Sequence, residues 1–274
     1  MYCLGLMMNN LFYRLKIRTT KQISSFLFFR RFPDLTNWTK WNEIDSSFEL
    51  LSSDLYFKNF RRCKVLIETM DYQNLDAKKY SQLSRSAGIF EPKFGRPIKP
   101  FFLRNSLNAG HQYRHLLQYA KTTGKSVTSH KRIIEFGGGY GCMRWLVGEH
   151  GYKGKYEIID NPGISKLQKR YLEASLDRAD FANTNWILNI NKLFPTLKSD
   201  DLFVGLWSIS ETPTEMMLEI IELLDQSSCN LLLAFQHSFN GRENKLYFDK
   251  YFKTAFRVEI AYPANNFHSS YIFR

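Results

Sequence analysis

From Lys131 to Phe235 the chain alternates short apolar or β-branched runs with amphipathic stretches, and few architectures accept that order. Lys131–Phe136, Lys155–Ile159, Trp186–Ile190, Leu202–Trp207 and Asn230–Phe235 read as strands, whereas Met143–Glu149, Ile164–Ala174 and Thr214–Leu224 read as helices. Strand and helix in turn make βαβ units, hence a mostly parallel sheet covered on both faces. The alternation breaks at the end, where Ala255–Ala261 and Ser270–Phe273 flank a short loop with Pro263, Asn265 and Asn266. A parallel pair needs a crossover of a dozen or more residues. These two strands therefore form a terminal antiparallel hairpin, and the expected fold class is α/β.

Ahead of this block the pattern is mostly helical, with Leu55–Thr69 and Ala77–Ala87 as helices and a loop from Phe90 to Pro100 that carries Pro92, Gly95, Pro97 and Pro100. That loop divides a basic accessory region, residues 1–100, from a main domain, residues 101–274. Charge divides the chain in a similar way. Residues 1–130 hold 21 Lys and Arg against 9 Asp and Glu, while residues 131–274 hold 17 against 17. The basic half suits an anionic partner such as phosphate, nucleic acid or an acidic membrane surface, unless it is simply a solvated face.

With 44% hydrophobic and 23% charged residues, wholesale disorder is excluded. No apolar run approaches the roughly 20 residues of a membrane helix. The apolar start, MYCLGLMM, precedes the basic residues Arg14, Lys16, Arg18 and Lys21, which is the reverse of a secretory signal. Cys3, Cys63, Cys142 and Cys229 stand far apart with no CxxC, which predicts reduced thiols and a cytoplasmic setting, at most peripheral to the inner face of the membrane.

The residues that carry chemistry begin with Ile133-Ile134-Glu135-Phe136-Gly137-Gly138-Gly139-Tyr140-Gly141, which follows a strand and precedes a helix. Such a turn lets backbone approach a ligand closely, and the helix N-terminus behind it favours a carboxylate or phosphate. A dinucleotide fingerprint would require Gly or Ala at 142, where this chain has Cys142, which argues against NAD. Glu135, just ahead of the glycines, suits a cationic cofactor, and S-adenosylmethionine carries both an ammonium and a sulfonium. Asp160 ends the next strand, 19 residues after Gly141, where a carboxylate can accept both hydroxyls of a ribose. Its alternative role is N-cap of the following helix, with Pro162 in the first turn.

In IIEFGGGYG, in IIDNPGISKLQKRYL with Gln168, Tyr171 and Leu172, and in LWSISE with Ser208 and Glu211, the chain resembles class I S-adenosylmethionine-dependent methyltransferases. Within them it resembles the sugar O-methyltransferases associated with bacterial surface polysaccharides. The resemblance covers roughly residues 100–274 on the scale of a single domain, and Thr212 stands where that family's Ser-x-x-Glu-Met pattern has Met. It implies a Rossmann-like seven-stranded sheet with the cofactor across the C-terminal ends of the first strands. It also implies that Glu135, Gly137, Gly139 and Gly141 hold the methionine moiety, Asp160 the ribose and Asn189 the adenine side, with a sugar or glycan acceptor that is phosphate- or lipid-linked.

A sugar hydroxyl is a poor nucleophile, so a general base is expected on a loop at the C-terminal edge of the sheet. Glu211 follows the fourth strand and His237 the fifth, and both are candidates; His268 precedes the last strand. Helix capping is the competing role for Glu211, an exposed loop position that for His237. Asp200-Asp201 opens a strand and so lies on the wrong edge for a metal, and no metal is expected. RNA ranks below sugar as an acceptor, because the basic half shows no nucleic-acid motif.

Ahead of the glycine turn, Ser106 caps a helix on which Asn108, His111, Gln112 and His115 fall at i, i+3, i+4 and i+7. This polar stripe either closes over the cofactor or acceptor or faces solvent. In the first case His111 and Gln112, with Ser208 of the LWSISE motif, would contact the substrate.

Overall fold

The computed structural model describes residues 89–92, 105, 107–187, 190, 193–260 and 268–274. The helices expected at Leu55–Thr69 and Ala77–Ala87, Ser106, Asn189 and the N-terminal basic clusters lie outside them.

The described chain runs α1 (Leu107–Thr123), β1 (Arg132–Phe136), α2 (Cys142–Glu149), β2 (Lys155–Ile159), α3 (Pro162–Glu173), α4 (Arg178–Ala182) and β3 (Thr184–Ile187). It continues with β4 (Asp201–Leu206), α5 (Ser208–Glu211), α6 (Thr214–Gln226), β5 (Asn230–Gln236), α7 (Asn244–Tyr251), β6 (Phe256–Ile260) and β7 (Ser269–Phe273). The sheet order is β3-β2-β1-β4-β5-β7-β6. The first five of these strands are parallel, and β7 enters antiparallel between β5 and β6. The terminal hairpin thus inserts its second strand against β5 and leaves β6 at the edge.

Period-two burial explains why the central strands are nearly all apolar. Ile133, Ile158, Leu202, Val204, Leu232 and Tyr271 point to the side covered by α1, α2 and α3. Their neighbours Ile134, Ile159, Phe203, Leu231, Leu233 and Ile272 point to the side covered by α6 and α7. Ile89 belongs to the first of these clusters, so the chain reaches the domain core well before α1.

Two readings shift. β3 begins at Thr184 rather than Trp186, since Thr184 pairs with Tyr156 and its hydroxyl takes the Nε–H of the fully buried Arg144 at 2.8 Å. α7 carries too weak a local pattern to be read from sequence. It forms because Phe248 stacks on Phe235 of β5, with ring centroids 4.1 Å apart. Cys142 and Cys229 are buried and outside any disulfide, and none of the described helices is long and apolar enough to cross a membrane.

Candidate active site

Parallel strands all point their C-terminal ends the same way, and that edge collects the glycine turn, Asp160, Trp207, Glu211 and His237. Gly137, Gly139 and Gly141 have φ of 75°, 57° and 97°, a region that favours glycine. At Gly137 the constraint is also steric, since a Cβ would lie 2.3 Å from the Cβ of Ser208. A Cβ on Gly138 would lie 3.0 Å from Oε2 of Glu135 and 3.2 Å from Nε2 of Gln168. The turn is therefore a backbone cradle built around two polar side chains.

Glu135 is buried, and its Oε2 accepts a 2.8 Å hydrogen bond from the Tyr156 hydroxyl. Burial pushes the Tyr156 phenol well up, so it stays protonated and donates. Asp160 is half-buried and does not cap α3. Asn161 does, accepting from the Ile164 N–H at 3.0 Å with Pro162 in the first turn. The Asp160 carboxylate instead accepts from the Asn161 N–H at 3.0 Å and from Nε2 of Gln168 at 2.8 Å. Burial, helped by the neighbouring Glu135, raises its pKa to about 7 against these hydrogen bonds. Gln168 is fully buried and also donates to the Gly139 carbonyl at 3.0 Å, while its Oε1 accepts from the Trp186 indole at 3.0 Å. In the sequence Gln168 showed only as part of a resemblance; the structure makes it the link between the glycine turn and the Asp160 loop.

The β4–α5 turn shapes the opposite wall. Trp207 has φ 71° and ψ −36°, a conformation that costs a bulky residue roughly 1–3 kcal/mol and persists only where its surroundings enforce it. Its N–H is tied to the Ala234 carbonyl at 2.7 Å, and its ring stacks on His111 at 6.1 Å. Ser208 turns its hydroxyl onto the Phe136 carbonyl at 2.5 Å, bracing β1 against the turn.

Glu211 does not cap α6. Its Oε1 accepts from Nε2 of Gln236 at 2.6 Å, and the Gln236 Oε1 is held by the Ser210 hydroxyl. Arg242 fixes this loop from behind, donating to the carbonyls of Ser210 at 2.6 Å and Thr212 at 2.8 Å. Burial raises the Glu211 pKa, partly offset by the Gln236 hydrogen bond. His237 is half-buried rather than an exposed loop residue. Its Nε2 lies 2.7 Å from the Ser270 hydroxyl, its ring stacks on His268 at 5.9 Å, and burial lowers its pKa. No hydrogen bond among the described residues joins it to Glu211.

The polar stripe of α1 faces inward, which removes its solvated reading. Asn108, His111 and His115 are buried, and Gln112 is half-buried. Asn108 donates to the Tyr140 hydroxyl at 2.8 Å, which in turn donates to Glu91 at 3.1 Å; His115 Nδ1 meets the Tyr271 hydroxyl at 2.5 Å. Glu91, Tyr140 and Trp207 had no role in the sequence reading. Residue spacing marks a face of a helix and cannot say what covers it.

At the other edge, Asp201 accepts from Arg132 and from the Lys198 N–H at 2.9 Å, so it is committed to the scaffold. Among the described residues no group of three or more His, Cys, Asp or Glu is arranged to hold a metal.

No protein-family model matches the chain. No curated protein matches it either. Solved structures are similar to it over part of the chain. The methyltransferase domain of bacterial CtHen1-C is 13% identical, with 60% of this chain and 97% of that one covered and a TM-score of 0.45. A candidate O-methyltransferase from Nostoc punctiforme is 7% identical, with 61% and 60% covered and a TM-score of 0.43. The precorrin-6y C5,15-methyltransferase from Geobacter metallireducens is 13% identical, with 59% and 84% covered and a TM-score of 0.40. The match thus spans about three-fifths of the Nostoc chain and nearly all of the CtHen1-C domain. The chain has an α/β fold, a seven-stranded sheet with β7 antiparallel between β5 and β6.

Proposed function

We propose that this protein is an S-adenosylmethionine-dependent O-methyltransferase whose acceptor is a sugar hydroxyl of a glycan or sugar precursor. The observation that carries this reading is the pair of acids flanking the glycine cradle, Glu135 held by the Tyr156 hydroxyl and Asp160 tied to the turn through Gln168 and the Gly139 carbonyl. Glu135 presents negative charge where a cationic amino-acid moiety would lie, and Asp160 presents a carboxylate to the ribose hydroxyls. Cofactor fit rests on that donor set and on a cradle that a Cβ would fill.

S-adenosylmethionine, when bound, supplies a methyl group already activated by a sulfonium. The chain has then to align an acceptor hydroxyl and accept its proton. Glu211 would take the proton. One carboxylate oxygen is fixed by Gln236, and its raised pKa makes it a stronger base than an ordinary glutamate. His237 is the second candidate, neutral at pH 7 because burial disfavours its charged form. His111 and Gln112 on α1 and the Trp207 ring form the acceptor side, with Ser208 bracing it.

The basic first half recruits an anionic acceptor or the inner membrane surface that carries it, consistent with its charge excess and a cytoplasmic setting. Calorimetry with S-adenosylhomocysteine and with NADH tests the cofactor. Micromolar binding of the first and none of the second is expected, and the reverse overturns the reading. Salt-sensitive sedimentation with anionic vesicles, lost on removal of residues 1–32, tests the recruitment.

A further inference from the structure

We propose that Gln168 is a positioning residue for Asp160, a fixed amide that aims an N–H at the ribose-binding carboxylate and ties it to the glycine turn. The inference rests on the cofactor reading above and deepens it.

Ordinarily the two ends of a glutamine amide are interchangeable, and its orientation follows from its partners. Here one partner settles it. The Trp186 indole N–H can only donate, and it sits 3.0 Å from one amide atom of Gln168, which must therefore be the oxygen. Nε2 then faces Asp160 Oδ2 at 2.8 Å and the Gly139 carbonyl at 3.0 Å, two acceptors for its two hydrogens. The side chain is fully buried, so no water competes for these bonds. Two loops, after β1 and after β2, and strand β3 come together only in the fold and are thus joined by one amide.

The groups around Asp160 show why this matters. Glu135, from β1, is the charged group acting on it, and it opposes ionisation. Tyr156 of β2 spends its hydroxyl on Glu135. Lys169, next to Gln168 on α3, lies over the Trp186 ring with Nζ 5.1 Å from its centroid. The donors to Asp160 are neutral ones, from Gln168 and from the Asn161 and Gly139 backbone. An ionised Asp160 is the better acceptor for two ribose hydroxyls, so the amide that favours ionisation sets the pH at which the cofactor binds well.

The test titrates S-adenosylhomocysteine binding by calorimetry between pH 5.5 and 9, and separately follows the Asp160 carboxyl by ¹³C NMR without ligand. Wild-type affinity should rise with pH around the Asp160 midpoint, and Asp160→Asn should abolish that rise. In Gln168→Leu the midpoint should move up by roughly one to two pH units, the worth of one hydrogen bond to a charged group. Its affinity should fall about tenfold at pH 7, with the gap narrowing toward pH 9. Trp186→Phe keeps the ring but releases the amide, and should shift the midpoint the same way by less. A loss equal at every pH, or an NMR midpoint unmoved in both variants, overturns the proposal. If the wild type binds no S-adenosylhomocysteine at any pH, the cofactor reading falls instead, and the NMR titration still decides the role of Gln168.

Discussion

The two edges of the sheet treat their acids in opposite ways. At the N-terminal edge, buried Asp201 and Glu157 share the Arg132 guanidinium, Lys155 adds to Glu157, and Lys131 holds the Asp200 carboxyl below its usual range. At the C-terminal edge, Asp160 and Glu211 have no ion pair among the described residues and are held by the neutral amides of Gln168 and Gln236. Burial then pushes both pKa values up. Paired acids are saturated and serve the scaffold. Acids held by amides keep unspent charge and proton affinity, which is what binding and proton transfer require.

The sharpest way to break this contrast is Glu211→Gln, which keeps the shape and the Gln236 hydrogen bond while removing the proposed base. Methyl transfer should fall by about 10²- to 10⁴-fold with S-adenosylhomocysteine affinity nearly unchanged. If turnover with the true acceptor stays near wild type and His237→Ala lowers it instead, the base is His237.

Next in size is the opposite edge. Arg132→Met leaves two buried carboxylates short of their cation and should cost about 3–5 kcal/mol in chemical denaturation. It should leave S-adenosylhomocysteine binding intact. A matching loss of affinity would show that the edges are not independent.

Asp160→Ala should reverse that pattern, with affinity lowered roughly tenfold to a hundredfold and little loss of stability at pH 8. Calorimetry and thermal melts on the same sample read both quantities.

The smallest effect is a slope. The folded Asp160 carboxyl takes up its proton at about pH 7, against 3.8 for an ordinary aspartate. Between those values the folded state holds more protons than the unfolded one, so this residue makes stability fall as pH rises through that window. Asp160→Asn should remove that contribution from a plot of unfolding free energy against pH. An unchanged slope would show that Asp160 is not the group responsible.

Residue periodicity determined the α/β class, the five parallel strands and the closing hairpin, since each is written in local runs of apolar side chains. It also located Glu135, Asp160, Glu211 and His237, because a strand followed by a loop puts the loop at a known edge. Periodicity could not say which acids would meet a cation. Gln236 lies 25 residues from Glu211, and Asn108 lies 32 from Tyr140. Only the packing of distant elements brings such pairs together. The inward turn of the α1 polar stripe and the left-handed backbone at Trp207 were likewise decided by what packs against them. Local pattern encodes which face is apolar, whereas a polar side chain acquires its partner, and with it its charge state, only when distant elements close around it.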